Sequence, residues 1–250
     1  MMKLTTRILS EGKTIPIIKP AAWTSFDVIK KVRSLTGIKK VGHAGTLDPF
    51  ATGLLLVNTG PATKTISKLT HLPKEYVAEV EFGYETDTMD WTGKKIKETS
   101  VPDLSEKKIK LMLENFQGKI KQEIPSYSAA KYKGKRLYKS ARRGEKVPQL
   151  FKEVFIYDLE LLEIGKNSIK LRIECSTGTY IRTLARDIAR LLNSSGHVKS
   201  LVRTRIGDYT LKDAWTIDDL QKELKIEDSQ RTTTSKKKHT NGIAGKSAHR

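Results

Sequence analysis

The chain has 250 residues, with 47 Lys and Arg against 28 Asp and Glu and a formal net charge of +19. That length suits one large domain or two small ones and can bury a core without staples, while the charge points to a polyanionic partner, nucleic acid before an anionic membrane surface. A single cysteine, Cys175, excludes an internal disulfide framework; no apolar run approaches the roughly 20 residues that span a bilayer, and the opening MMKLTTRILSEGK lacks the apolar centre of a signal peptide, so the expectation is a reduced, soluble, cytoplasmic protein.

In chain order, Ile15-Pro16-Ile17-Ile18-Lys19-Pro20 reads as a short strand closed by proline. Residues 24–37, TSFDVIKKVRSLTG, read as a helix. Thr24 or Ser25 can cap it, Asp27 suits its first turn and Gly37 can stop it. Val28, Val32 and Leu35 form its apolar side. A glycine-rich stretch follows, VGHAGTLDPFATGLLLVNTG (41–60), in which Asp48 is the only acid. Over 75–83 the residues alternate, Tyr76, Ala78, Val80 and Phe82 on one face and Glu79 and Glu81 on the other, the pattern of a half-buried strand. A second amphipathic helix is expected over 105–118, from a Ser105 cap to a Gly118 stop. Residues 154–163 and 168–175 read as a hairpin, with Ile169, Leu171, Ile173 and Cys175 sharing a face. The clearest helix is 179–193, with Ile181, Leu184, Ala185, Ile188 and Leu192 on its inner side. Strands and helices mix without a βαβ rhythm, which indicates an α+β fold. Two segments break the pattern. Residues 119–150 carry ten Lys and Arg against two Glu, with Tyr127, Tyr132 and Tyr138 interleaved; residues 229–250 carry six Lys and Arg and no acid, and read as a basic, disordered tail.

Asp48 is framed by Gly42, Gly45 and Gly53, and Pro49 biases it toward extended backbone. It is either a reactive group presented by a stiff loop or an ordinary Asp-Pro turn residue. Arg182 falls in the first turn of the 179–193 helix, where the dipole disfavours a cation by about 0.3–1 kcal/mol. It is either paired with an anion or a solvated surface arginine. The preceding Ser176-Thr177-Gly178-Thr179 turn offers N–H groups that could hold a phosphate. His43 has no cluster of metal-ligating residues around it, so it reads as a hydrogen-bonding or phosphate-contacting residue or as a filler of the loop. Tyr76 is either core or a flat face for a base, worth about 1–3 kcal/mol in the second case. No phosphate-binding loop, dinucleotide fingerprint or serine-hydrolase elbow is present.

Taken together, GHAGTLDPFATGLL with the run from Gly60 to Lys64, Lys19-Pro20 with Thr24-Ser25 and Asp27-Val28, and the Tyr76 strand leading into GYETDTMDWTG resemble the TruB-type tRNA pseudouridine synthases. So do PSYSAAKYKGKRLYKSARRG (125–144), CSTGTYIRTLARDI (175–188) and SLVRTRIGDYTL (200–211). The motifs stand in the family's order over residues of about 15–220.

The resemblance implies a pseudouridine synthase fold, with a central, mostly antiparallel sheet, flanking helices and a basic catalytic cleft with Asp48 on its floor. It implies one catalytic domain over 1–228, with 119–150 as a thumb-like RNA-binding insertion. The implied reaction isomerises the T-loop uridine at tRNA position 55, the uracil leaving C1′ through N1 and rejoining through C5, with no cofactor and no metal. Asp48 matches the catalytic aspartate, Arg182 the arginine that pairs with it, and Tyr76 the tyrosine that stacks on the flipped base. His43, Tyr180, Leu201, Lys19 and Lys64 match substrate-binding positions. The implied partner is the tRNA T stem-loop, without guide RNA or membrane, and the protein is expected to be a monomer. A guide-RNA-dependent synthase of the dyskerin type and an RNA-binding module without chemistry are the alternatives; the thumb-like insertion argues against the first, and Asp48, Tyr76 and Arg182 against the second. The chain departs from the family pattern in two places: only 41 residues follow Tyr209, too few for the PUA domain many members carry, and Ile124 stands where a proline is usual before Pro125.

Overall fold

The computed structural model describes residues 4–225. The stretch 229–250, read above as a tail, lies outside the described residues.

One large sheet organises the chain. Its strands run in the order Thr14–Lys19, Thr52–Thr59, Gly196–Ile206, Lys74–Phe82, Ser168–Cys175, Phe151–Ile164 and Gly118–Glu123. Val41–Ala44 adds to Thr52–Thr59, and Tyr209–Thr210 adds to Gly196–Ile206. Every pairing is antiparallel except that between Gly196–Ile206 and Thr52–Thr59, which is parallel and consists of Val202 opposite Thr52 and Arg203 opposite Gly53. The fold is thus α+β with a mostly antiparallel sheet. The sheet narrows to this two-residue junction, beside the Asp48 loop.

The period-2 pattern around Tyr76 is realised in full. Lys74, Tyr76, Ala78, Val80 and Phe82 are buried, and the intervening residues are half-buried. The inward set packs with Ile169, Leu171, Ile173 and Cys175 of the neighbouring strand and with Ile181, Leu184, Ala185 and Ile188 of the helix Ile181–Leu191. The helix Ser25–Thr36 starts at a Thr24 capping box with Asp27 and ends at Gly37. Its Val28, Ile29 and Val32 fill a second core with Leu220 and Leu224, each worth about 1.5–3 kcal/mol as an upper figure. Those two leucines belong to a helical stretch over 217–225, which the sequence reading did not include.

Two boundaries differ from expectation. The helix expected to reach Gly118 is α-helical only over Glu106–Leu113, tightens to a 3-10 turn at Glu114–Phe116, and Gly118 instead opens the edge strand Gly118–Glu123. Residues 119–123 of the expected insertion therefore belong to the sheet. The rest carries the short strands Lys131–Tyr132 and Lys135–Arg136 and the helix Leu137–Arg142. At its base the Ile124 N–H donates to the Leu150 carbonyl at 2.8 Å, a bond that proline could not make.

Candidate active site

The loop from Gly45 to Pro49 is tethered at almost every residue. The Arg203 guanidinium donates to the Gly45 carbonyl at 3.2 Å and the Thr46 carbonyl at 3.4 Å. The Ser25 hydroxyl accepts from the Leu47 N–H at 2.9 Å, and Leu47 itself lies in the main core. Lys19 Nζ donates to the Pro49 carbonyl at 3.2 Å. The Asp48 carbonyl accepts from the Ala51 N–H at 3.2 Å, closing a turn with Pro49 at its second position. So Asp48 does open an Asp-Pro turn, but through its backbone. Its carboxylate is left for another partner.

That partner is Arg182. Its Nε donates to Asp48 Oδ2 at 2.9 Å and its Nη2 to Oδ1 at 3.2 Å. The same guanidinium donates from Nη1 to the Thr88 carbonyl at 2.7 Å and from Nη2 to the Tyr127 carbonyl at 2.9 Å. Asp90, buried and held by Thr88 and Thr92, stands 3.9 Å from Nε. The Arg182 side chain is 4% exposed, whereas that of Asp48 is 35% exposed. A cation in the first turn of Ile181–Leu191 is thereby explained, since the carboxylate offsets the unfavourable dipole. One arginine also ties together the Asp48 loop, the loop holding Asp90, and the insertion at Tyr127.

Tyr76 and Leu201 are both buried in the core cluster that contains Leu47. Burial, opposed by the nearby Arg203 charge, raises the Tyr76 phenol, so it is neutral near pH 7. Tyr180 caps the helix Ile181–Leu191 with its backbone. The Gln122 side chain, itself buried, receives the Tyr180 N–H at 2.9 Å and donates to its carbonyl at 3.2 Å. Burial raises the Tyr180 phenol as well, with Arg182 opposing and Asp48 reinforcing the shift. His43 lies on Val41–Ala44 opposite Val57. Burial and then the Arg203 charge lower its pKa, so it stands neutral.

One expected substrate contact is placed otherwise. Lys19 is fully buried, and its three donors go to the carbonyls of Pro20 at 2.8 Å, Trp23 at 2.7 Å and Pro49. It anchors the Asp48 loop rather than facing a ligand. Lys64 is exposed in the turn Gly60–Thr65, beyond the far end of Thr52–Thr59. In the 176–179 turn, two of the N–H groups weighed for a phosphate are committed within the protein. The Ser176 N–H is bonded to the Phe155 carbonyl and the Thr179 N–H to the Ser176 carbonyl.

Three residues were missed by the sequence reading. Arg203 is 1% exposed and also donates to the Leu54 carbonyl at 2.7 Å. Its signal was its inward register, two residues after Leu201. Ser25, weighed only as a cap, brackets Leu47, while Thr24 does the capping. Asp90 had no local signal.

A model of the TruB family pseudouridylate synthase N terminal domain matches residues 33–181. The chain belongs to the TruB family. As a member it is a pseudouridine synthase. A model of the tRNA pseudouridylate synthase B C-terminal domain matches residues 182–237. The border between the two matches falls inside the helix Ile181–Leu191, and the strand Gly196–Ile206 from the second lies mid-sheet, so both build one sheet. The chain is 42% identical over 214 residues to a tRNA pseudouridine synthase B of Caldanaerobacter subterraneus subsp. tengcongensis, covering 85% of this chain and 75% of that one. It is 43% identical to the tRNA pseudouridine synthase B of Phocaeicola vulgatus, covering 83% and 91% respectively. Among solved structures it resembles a chain of a Cbf5-Nop10-Gar1 complex with a TM-score of 0.67 and 27% identity, covering 87% of this chain and 56% of that one. This TruB chain therefore spans little more than half the length of that neighbour. No helix among the described residues is long and apolar enough to cross a membrane.

Proposed function

We propose that Asp48 is the nucleophile of this TruB family member, a tRNA pseudouridine synthase that isomerises the T-loop uridine at position 55, and that the protein acts as a monomer without guide RNA in the cytoplasm. The observation that carries the assignment of Asp48 is the Arg182 fork: both carboxylate oxygens are fixed by a buried guanidinium, yet the Asp48 side chain stays 35% exposed. Each carboxylate oxygen has two lone-pair positions, so one hydrogen bond per oxygen leaves each able to attack. A nucleophile held in this way needs little reorganisation on the way to the transition state.

The base to be isomerised is stacked inside a folded loop and has to be flipped out, at a cost of a few kcal/mol. Tyr76 and Tyr180, whose phenols sense the Asp48 charge, and Leu201, which shares the core with Leu47, are the candidates for the walls that receive it. Tyr76 is 8% exposed, so a base could stack on it only if its ring became more accessible on binding. The basic residues of the insertion, among them Lys131, Lys135, Arg136, Lys139 and Arg143 lining a cavity of about 370 Å³, suit closure on phosphates.

The guided alternative draws on the likeness to the Cbf5-Nop10-Gar1 chain, at 27% identity. The relatives at 42% and 43% identity bear the name tRNA pseudouridine synthase B, which supports the tRNA reading. Mass spectrometry of a T stem-loop RNA incubated with the pure protein tests it. Conversion of one uridine with no other protein or RNA supports the proposal, and conversion only when other components are added supports the guided alternative.

A further inference from the structure

Lys152 is a half-buried lysine that the site described so far does not use. It lies on Phe151–Ile164 directly opposite Gln122. Gln122 holds the Tyr180 backbone at both its N–H and its carbonyl, so Lys152 and Tyr180 are carried on one rigid platform. The Lys152 ammonium stands over the Tyr180 ring, 4.3 Å from its centroid. On its other side is Gly178. A Cβ at that position would come 2.6 Å from Lys152 Nζ, and Gly178 has a φ of +82°, which side chains resist. The glycine leaves room for the ammonium just ahead of the helix Ile181–Leu191.

What Lys152 lacks is an acid. The carboxylates around it are committed elsewhere: Glu153 to Lys119, Glu123 to Arg186, Glu174 to Arg205, and Asp48 to Arg182. Among the described residues no carboxylate pairs with Lys152; its ammonium stands over the Tyr180 ring and near the buried Cys175. Burial lowers its pKa to about 8, so it is still mostly charged near pH 7. An ammonium half removed from water, without a counterion, beside the proposed base pocket is set to receive an anion.

We propose that Lys152 binds a backbone phosphate of the RNA next to the nucleotide held against Tyr180 and Asp48. This rests on the reading of the chain as an RNA-modifying enzyme. A phosphodiester is the anion that such a substrate brings to either side of every base. Lys152 stands over the Tyr180 ring, so a phosphate bound to its ammonium would lie beside a base held against Tyr180, and the contact would fix where the target nucleotide sits along the cleft.

The test is binding of a T stem-loop RNA at several potassium chloride concentrations by wild type, Lys152→Met and Lys152→Arg. Methionine keeps the apolar stem and so protects the fold, and arginine keeps the charge. Lys152→Met is expected to bind about three- to tenfold more weakly, with a salt slope shallower by about 0.7–0.9, and Lys152→Arg to restore the slope. Neutral methylphosphonates are then placed one at a time around the target uridine. One position should weaken wild type and leave Lys152→Met unaffected. An unchanged slope for Lys152→Met, or losses that add at every position, would overturn the proposal. Pseudouridine content is measured separately on the wild type. Its absence would count against the proposed function, while the binding cycle still decides on Lys152.

Discussion

Gly53 lies against the backbone of Arg203 so closely that a Cβ on Gly53 would stand 2.3 Å from the Arg203 carbonyl oxygen and 2.7 Å from its nitrogen. This approach is one of the two residue pairs that join Thr52–Thr59 to Gly196–Ile206, and it brings the Arg203 guanidinium under Gly45 and Thr46. Gly53 also has a φ of +106°. Gly53→Ala should therefore cost about 2 kcal/mol or more, from strain and from displaced backbone, and lower the melting temperature by roughly 4–8 °C. Activity measured well below the new melting temperature should fall as well, because the displaced strand is the one that tethers the Asp48 loop. Wild-type stability in this variant would mean that the junction is looser than described.

Asp48→Asn keeps the size of the side chain and removes its negative charge. The variant should retain RNA binding while pseudouridine formation falls by about a thousandfold or more. It should also lose stability, because Arg182 remains buried with only Asp90, 3.9 Å away, as counter-charge, at a cost below the about 3–5 kcal/mol of a fully unpaired buried charge. A pure variant that still turns over at more than a trace of the wild-type rate would remove Asp48 from the mechanism.

Arg182→Lys keeps the charge but cannot reproduce four hydrogen bonds to Asp48, Thr88 and Tyr127. A misplacement of the carboxylate by about 1 Å is worth about a hundredfold in rate, so the loss should fall on kcat rather than on KM. Release of the Tyr127 carbonyl should also make the insertion more open to limited proteolysis. An unchanged kcat with a raised KM would show that Arg182 serves as a phosphate contact instead.

Much of this was legible in the sequence where the cause is local. Tyr76, Ala78, Val80 and Phe82 share a face because a strand has period 2, and Thr24 and Gly37 bound a helix because caps lie next to what they cap. What was not legible depends on distant backbone. Arg203 finds its partners in carbonyls some 150 residues away, and no residue-type pattern encodes a carbonyl. Lys19 was expected to contact substrate from the family resemblance; only the convergence of the Pro20, Trp23 and Pro49 carbonyls shows why it is buried. Gly118 was read as a helix stop because the 3-10 turn at Glu114–Phe116 leaves the same composition as a continuing helix. The pairing of Asp48 with Arg182 followed from family resemblance, and the dipole argument alone left it open.

Lys19 links the proposed site to pH. Burial lowers its pKa to about 8, with Asp48 opposing and Arg203 reinforcing the shift. The folded value lies below the unfolded value of about 10.4, so the unfolded chain holds the proton more tightly. The cost of burying the charge is present in full below pH 8 and is relieved as the pH rises toward 10, so stability from this group increases with pH. Lys74 and Lys152, each lowered to about 8 by burial, act in the same direction. The buried Cys175 thiol, pushed up to about 11, acts the opposite way at higher pH. Between pH 8 and 9 the lysines dominate, and the denaturant midpoint should hold or rise slightly. Turnover should behave differently. A neutral amine has two donors for three carbonyls, and the bond to Pro49, the longest of the three at 3.2 Å, is the one expected to be lost above pH 8, so kcat should decline there although the fold does not weaken. Lys19→Arg, which stays charged throughout, separates Lys19 from the other two lysines: its kcat should be flat from pH 8 to 9 whatever its absolute value. An alkaline decline that persists unchanged in Lys19→Arg would place the titrating group elsewhere.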